Sequence, residues 1–167
     1  MLPGRQPPPD DSVGGPFHLV SDTGATITDQ SFPGKYKLIY FGYTQCADIC
    51  PITLGTLAAA LNRLGTKAAL VQPIFITLDP ARDTPTALHH YVTAFSPRLI
   101  CLTGTPAALN RLADAFHVTS LLHQQPATYT LDHSSVLYLM APDGHFIAPI
   151  PAGASESVMA QAIARNI

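Results

Sequence analysis

Lys37-Leu38-Ile39-Tyr40-Phe41-Gly42-Tyr43-Thr44-Gln45-Cys46-Ala47-Asp48-Ile49-Cys50-Pro51 is the stretch on which the fold turns. Lys37 to Phe41 is a short apolar run of β-prone residues, the pattern of a buried strand. Gly42, Tyr43 and Thr44 interrupt it. Pro51 suits the first turn of a helix, where the N–H it lacks has no intrahelical acceptor to lose. Leu54, Leu57, Ala58, Leu61 and Leu64 then recur at helical spacing up to Gly65. The unit is a strand, a loop carrying two cysteines, and a helix.

Outward from this unit the alternation repeats. Ile74 to Leu78 predicts a second buried strand. Thr84-Pro85 predicts the start of a helix with Leu88, Tyr91, Val92 and Phe95 on one face. Leu99 to Leu102 predicts a third strand, and Thr105-Pro106 a third helix with Leu109, Leu112, Ala113 and Phe116 on one face. Ser135 to Met140 reads as a strand, Pro142-Asp143-Gly144 as a turn, and Phe146 to Pro149 as its antiparallel return. Ser155 caps a last helix running through Ile163. Upstream, Phe17 to Val20 and Thr26 to Thr28 flank Asp22-Thr23-Gly24 as a small hairpin. Parallel strands need long crossovers, so strands alternating with helices predict a β-α-β sheet. The expected fold is α/β and thioredoxin-like: a central mixed sheet flanked by helices, with an extra N-terminal β-hairpin. Pro3, Pro7, Pro8 and Pro9 beside Asp10 and Asp11 cannot build a core. Residues 1–14 are therefore expected to be a disordered Pro-rich leader or tether, and residues 15–167 a single domain.

At 167 residues and 47% apolar, the chain can bury a sizeable core. Its 9 Lys and Arg against 11 Asp and Glu leave no basic surface for nucleic acid. No run reaches the ~20 apolar residues that span a bilayer. No secretory apolar segment opens the chain.

Three cysteines cannot build a disulfide framework. Cys101 is distant from the other two and reads as a buried structural thiol. Cys46 and Cys50 lie at the strand–helix junction. If the first helical turn includes both, their spacing of four puts the sulfurs on one face. The unpaired amides of that turn favour a thiolate. Thiolate is both nucleophile and soft-metal ligand, so the pair can close a disulfide or hold a soft cation. Two thiolates are too few for a closed tetrahedral zinc site, and a further ligand must come from elsewhere. His89 and His90 sit on a predicted helix beside its apolar face. His18, His117, His123 and His145 have no companion motif. His133 follows Asp132 and precedes Ser134-Ser135 at the start of the strand 136–140, where loop ends converge on one rim. In Asp79-Pro80-Ala81-Arg82-Asp83-Thr84-Pro85, Asp83 or Thr84 can cap the following helix and Arg82 can pair with either carboxylate. Alternatively, one of these charges faces the cysteines and tunes them.

The segments Tyr40 to Pro51, Leu78 to Pro85 and Tyr129 to Ser135 together, in this order and at these intervals, resemble the Sco/SenC family. These are thioredoxin-fold copper proteins that help assemble the dinuclear copper centre of cytochrome c oxidase subunit II. The resemblance runs from about Gly15 to the C-terminus. It implies that Cu(I) or Cu(II) is held by Cys46, Cys50 and His133, a soft donor set suited to Cu(I). Asp79 and Asp83 match the family's acidic motif and would shape the site or contact a partner rather than ligate. The implied partner is cytochrome c oxidase subunit II, with a periplasmic copper donor or a thioredoxin-like reductant as further partners. The implied location is the bacterial periplasm, tethered to the inner membrane, or the mitochondrial inner membrane in a eukaryote.

Two departures from the family pattern stand out. Ala47 follows the first cysteine where the family usually has Pro, which frees a fixed φ but removes no ligand. The family's usual N-terminal membrane anchor is absent from this chain, so the Pro-rich leader reads as the remnant of a tether. The resulting expectation is a copper metallochaperone rather than an enzyme. Its oxidised form would carry a Cys46–Cys50 disulfide and a free Cys101 thiol. The alternative is a thiol–disulfide oxidoreductase that uses the same redox pair to keep the oxidase's copper-site cysteines reduced. Such reductases place a Pro, usually cis, just before a late strand; residues 129–140 contain none, and His133 stands there instead. A peroxidase of the same fold would want one reactive cysteine supported by Arg, which Cys50-Pro51 and His133 do not serve.

Overall fold

The computed structural model describes residues 13–45, 49–96, 98–118, 120–125, 128–133 and 136–167. The chain forms β1 (His18–Ser21), β2 (Thr26–Thr28), β3 (Tyr36–Gly42), α1 (Ile49–Arg63), a 3-10 helix (Gly65–Leu70) and β4 (Val71–Thr77). It continues as α2 (Pro85–Thr93), β5 (Ile100–Thr103), α3 (Pro106–Ala115), β6 (Ser120–Gln125), β7 (Thr128–His133), β8 (Val136–Met140), β9 (Phe146–Pro151) and α4 (Glu156–Ala164). Seven strands make one sheet in the order β2-β1-β5-β4-β3-β8-β9, and β6 and β7 pair separately. β3, β4 and β5 run parallel, joined by α1 and α2. β1 joins β5 antiparallel, and β8 joins β3 antiparallel, with β9 returning beside it. This is the thioredoxin-like sandwich with an N-terminal hairpin.

The two faces of the sheet follow from the period of two along each strand. Leu38, Tyr40, Phe75, Cys101, Leu137 and Leu139 share one face and pack with Cys50, Leu54 and Leu57 of α1, Leu88 of α2 and Met159 and Ile163 of α4. Ile39, Phe41, Ile74, Ile76 and Leu102 point the other way, against Leu109 and Leu112 of α3 and the neighbouring Phe116. Phe41 and Tyr138 close on Phe116 with ring centroids 5.3 and 5.2 Å away. Each fully buried side chain of this size contributes about 1.5–3 kcal/mol of transfer free energy.

The helix starts are where the sequence places them. Thr84, Thr105 and Ser155 are N-caps whose hydroxyls accept from Ala87 N (3.2 Å), Ala108 N (3.1 Å) and Val158 N (3.2 Å). Pro85 and Pro106 fill the first helical position after the threonines. α1 differs at its start, which lies at Ile49, ahead of Pro51; it ends at Arg63, and Gly65 with φ +59° stands just past that end as expected and also opens the 3-10 helix. The hairpin of β6 and β7 is an element that the sequence pattern does not announce. Gln125 pairs with Thr128, and the sequence between them, Pro126-Ala127, carries none of the Asn-Gly or Asp-Gly signals of a tight hairpin. Of the expected leader over residues 1–14, residues 1–12 lie outside the described residues. Val13 is buried beside α3, and Gly14 N donates to Ala115 O at 2.8 Å. No helix among the described residues is long and apolar enough to cross a membrane.

Candidate functional site

β3 and β4 end side by side, with Gly42 paired to Thr77, and the chain leaves both strands at one rim of the sheet. Leu78 N reaches back to Gly42 O at 2.7 Å and holds the two exits together. From Gly42 the chain runs through Tyr43 and Thr44 toward the cysteines, and α1 opens at Ile49. Cys50 is thus the second residue of α1, within the turn whose amides have no helical acceptor. That setting favours negative charge on its sulfur. Cys46 lies outside the described residues.

Cys50 is completely buried. Two residues of β3 meet its sulfur. A Cβ added to Gly42 would lie 2.9 Å from Cys50 Sγ and 2.8 Å from Phe75 Cε2. The hydroxyl of Tyr40 donates to Sγ at 3.8 Å. Positions 40 and 42 share a strand face, so both contacts follow from one alternation. Gly42→Ala is expected to force Cys50 Sγ and the Phe75 ring apart. The expected cost is about 1–3 kcal/mol in denaturant unfolding, the usual penalty for overpacking a filled core. A wild-type unfolding midpoint would mean the sulfur is not seated against this strand end.

The Asp79–Pro85 segment braces the same loop. The Asp83 carboxylate is fully buried and accepts three hydrogen bonds: Thr44 N at 3.0 Å, Thr44 Oγ1 at 2.5 Å and Thr77 Oγ1 at 2.6 Å. Asp83 therefore does not cap α2; Thr84 does. Asp79, 3% exposed, is paired with Arg82, whose guanidinium lies 5.8 Å from the centroid of the Tyr43 ring. Thr77 Oγ1 also accepts from Asp79 N at 2.9 Å, and Asp83 N donates to Asp79 O at 2.9 Å. Tyr43 and Thr44, the residues leading to Cys46, are gripped by Arg82 and Asp83. Neither carboxylate reaches the surface.

His133 is the last residue of β7, paired with Ser120, and so stands ahead of β8. The β6–β7 hairpin that carries it is the element the sequence reading leaves unassigned. The imidazole itself lies outside the described residues. Among the described residues no group of three or more His, Cys, Asp or Glu forms a metal cluster. Cys101 is a buried thiol on β5, level with Phe75 and thus two strands from Tyr40, about 10 Å across the sheet. Burial pushes its pKa well above the ordinary thiol value, and the carboxylates of Asp22 and Asp83 push it the same way. Both effects disfavour the thiolate that nucleophile or ligand chemistry needs. His89 is held at the surface by Asp22, Nδ1 to Oδ2 at 2.8 Å.

Sequence reading takes Gly42 and Thr44 as loop markers only and assigns no role at the site to Tyr40 or Thr77. For Tyr40 and Gly42 the usable signal is strand alternation, which aims both at the helix carrying Cys50. For the threonines there is none, because the Thr44–Asp83 contact joins residues 39 positions apart.

A family model described as SCO1/SenC matches residues 5–167. The chain is 43% identical over 137 residues to Protein SenC of Rhodobacter capsulatus, an alignment covering 81% of this chain and 62% of that protein. It is 41% identical over 138 residues to Protein SCO1 homolog 1, mitochondrial, of Arabidopsis thaliana, covering 81% of this chain and 41% of that one. The chain therefore spans about half the length of these relatives. Among solved structures, Bradyrhizobium japonicum ScoI with copper bound aligns with a TM-score of 0.85 at 36% identity, over 93% of this chain and 99% of that one. Yeast Sco1 with copper bound aligns with a TM-score of 0.84 at 37% identity, over 92% and 87%.

Proposed function

The chain belongs to the SCO1/SenC family, and from that membership we propose that it is a copper metallochaperone whose metal is held by Cys46, Cys50 and His133. The observation that carries the reading is the seat of Cys50: a buried sulfur at a helix N-terminus, on a fold whose relatives hold copper. Two thiolates and one imidazole are a soft, low-coordinate donor set that favours Cu(I) and rejects the hard cations. Copper is cargo here. A three-ligand site leaves one side open for an incoming ligand of the acceptor, so the metal can pass without first being released to solvent. The acceptor we propose is subunit II of cytochrome c oxidase, at its dinuclear copper centre. The domain would work at the periplasmic face of the bacterial inner membrane, or on the mitochondrial inner membrane, tethered on the N-terminal side of Val13.

Asp79 and Asp83 serve this reading without ligating. Buried and bonded to the chain around them, they fix the loop that delivers Cys46. The same pair of sulfurs couples metal loading to redox state, because oxidation to a disulfide removes both thiolates. Anaerobically reduced protein is expected to bind about one Cu(I), and the oxidised protein almost none. Alkylation after unfolding the oxidised form should label Cys101 alone. Three labelled cysteines after oxidation in air would break the coupling of redox state to metal. A reduced protein that takes up no copper yet reduces a partner's disulfide would leave the oxidoreductase in its place.

A further inference from the structure

We propose that Tyr40 is a positioning residue for Cys50, its hydroxyl setting how strongly that sulfur donates to copper and how readily it enters a disulfide. The proposal deepens the copper reading above and rests on it. Tyr40 is fully buried in the middle of β3, flanked in register by Phe75 on β4 and Leu137 on β8. Its ring is tilted 55° against Phe75 at 6.1 Å, which holds the phenol pointing across to α1. Burying a tyrosine hydroxyl is unfavourable unless it finds a partner, and here it donates to Cys50 Sγ at 3.8 Å. From the same strand face Gly42 leaves the room in which that sulfur sits. Strand β3 thus meets Sγ twice, once with space and once with a donor.

A hydrogen bond to a cysteine sulfur withdraws electron density from it and tunes the metal it binds. The same bond favours the reduced sulfur over the disulfide sulfur, which is the weaker acceptor. The exchange with glutathione makes this measurable. The Cys46–Cys50 S–S bond breaks, the glutathione S–S bond forms, and two glutathione thiols supply the two protons taken up by the protein sulfurs. Tyr40 stabilises the product side of that reaction.

Tyr40→Phe keeps the ring and deletes only the donor. The expected result is an approximately fivefold shift of the glutathione equilibrium toward the protein disulfide, the effect of one modest hydrogen bond. That shift equals a midpoint potential lower by about 20 mV. In the Cu(II) form the sulfur-to-copper charge-transfer band should move to lower energy, with copper stoichiometry unchanged. Tyr138→Phe, on the opposite face, should move neither quantity. In the unaltered protein the copper–sulfur stretch, read by resonance Raman, should shift in D2O, a measurement that needs no variant to fold. A wild-type potential and band in Tyr40→Phe, an opposite shift, or a stretch insensitive to D2O overturns the proposal while the copper reading stands. Loss of copper from Tyr40→Phe overturns it as well, since the residue would then be required for binding. Full copper retention after loss of both Cys46 and Cys50 overturns the copper reading itself.

Discussion

Cys46→Ser and Cys50→Ser are each expected to weaken Cu(I) binding more than about a hundredfold, leaving the reduced protein almost empty against a competing chelator. Serine oxygen is a hard donor with a high pKa and does not replace a thiolate toward a soft d10 cation. With one sulfur gone, the proposed site would fall to one thiolate and an imidazole, too few donors to compete for the metal. His133→Ala should weaken binding less, about tenfold to a hundredfold, because both sulfurs stay. Copper stoichiometry on anaerobic protein after desalting measures all three. The order matters: equal, small losses at all three positions would indicate a site elsewhere in the chain. Cys101→Ser should leave stoichiometry alone, since that thiol is sealed on β5 and kept protonated by its surroundings.

The second large effect belongs to Asp83. Asp83→Ala is expected to lower stability by about 3–4 kcal/mol in denaturant unfolding, the range for breaking a buried network that includes a charge. Three donors lose their acceptor at once, and two of them, Thr44 N and Thr44 Oγ1, belong to the loop that leads into Cys46. Thr77 Oγ1 loses the third. Copper affinity should fall together with stability, because the loop is no longer held against β4. Asp83→Asn keeps the size and one carbonyl acceptor, so its loss should be smaller. A full loss of copper with unchanged stability in Asp83→Ala would instead make this carboxylate a ligand. That outcome conflicts with its burial and with the three hydrogen bonds it accepts.

Much of this architecture can be read from local pattern. Lys37 to Phe41 has the composition of a buried strand, and Thr84-Pro85 and Thr105-Pro106 join an N-cap hydroxyl to a proline at the first helical position. Those signals act within a few residues of one another, and the chain obeys them. The contacts that shape the site act at long range. Asp83 reads locally as a helix cap because it stands beside Thr84. Its carboxylate turns to Thr44 and Thr77 only because β3 and β4 lie side by side, and no pattern within a helical turn records that. The β6–β7 hairpin fails for a different reason. Ser120 to Gln125 alternates poorly, and the sequence carries no Asn-Gly or Asp-Gly hairpin signal there, so the element shows only in the pairing of the two strands. His133 takes its position from that hairpin. The motif identifies the residue, while its place in the fold comes from an element the sequence leaves unmarked.

The outermost strands of the seven-stranded sheet bear on how another protein can approach. β2 is only three residues long, and β9 carries Pro149 and Pro151, which offer no N–H to a strand laid alongside. Both borders are thus poor templates for strand addition, whether by a second copy or by an extended segment of an acceptor. Recognition of this domain through backbone pairing along its main sheet is thereby disfavoured, which leaves side-chain surfaces for contact.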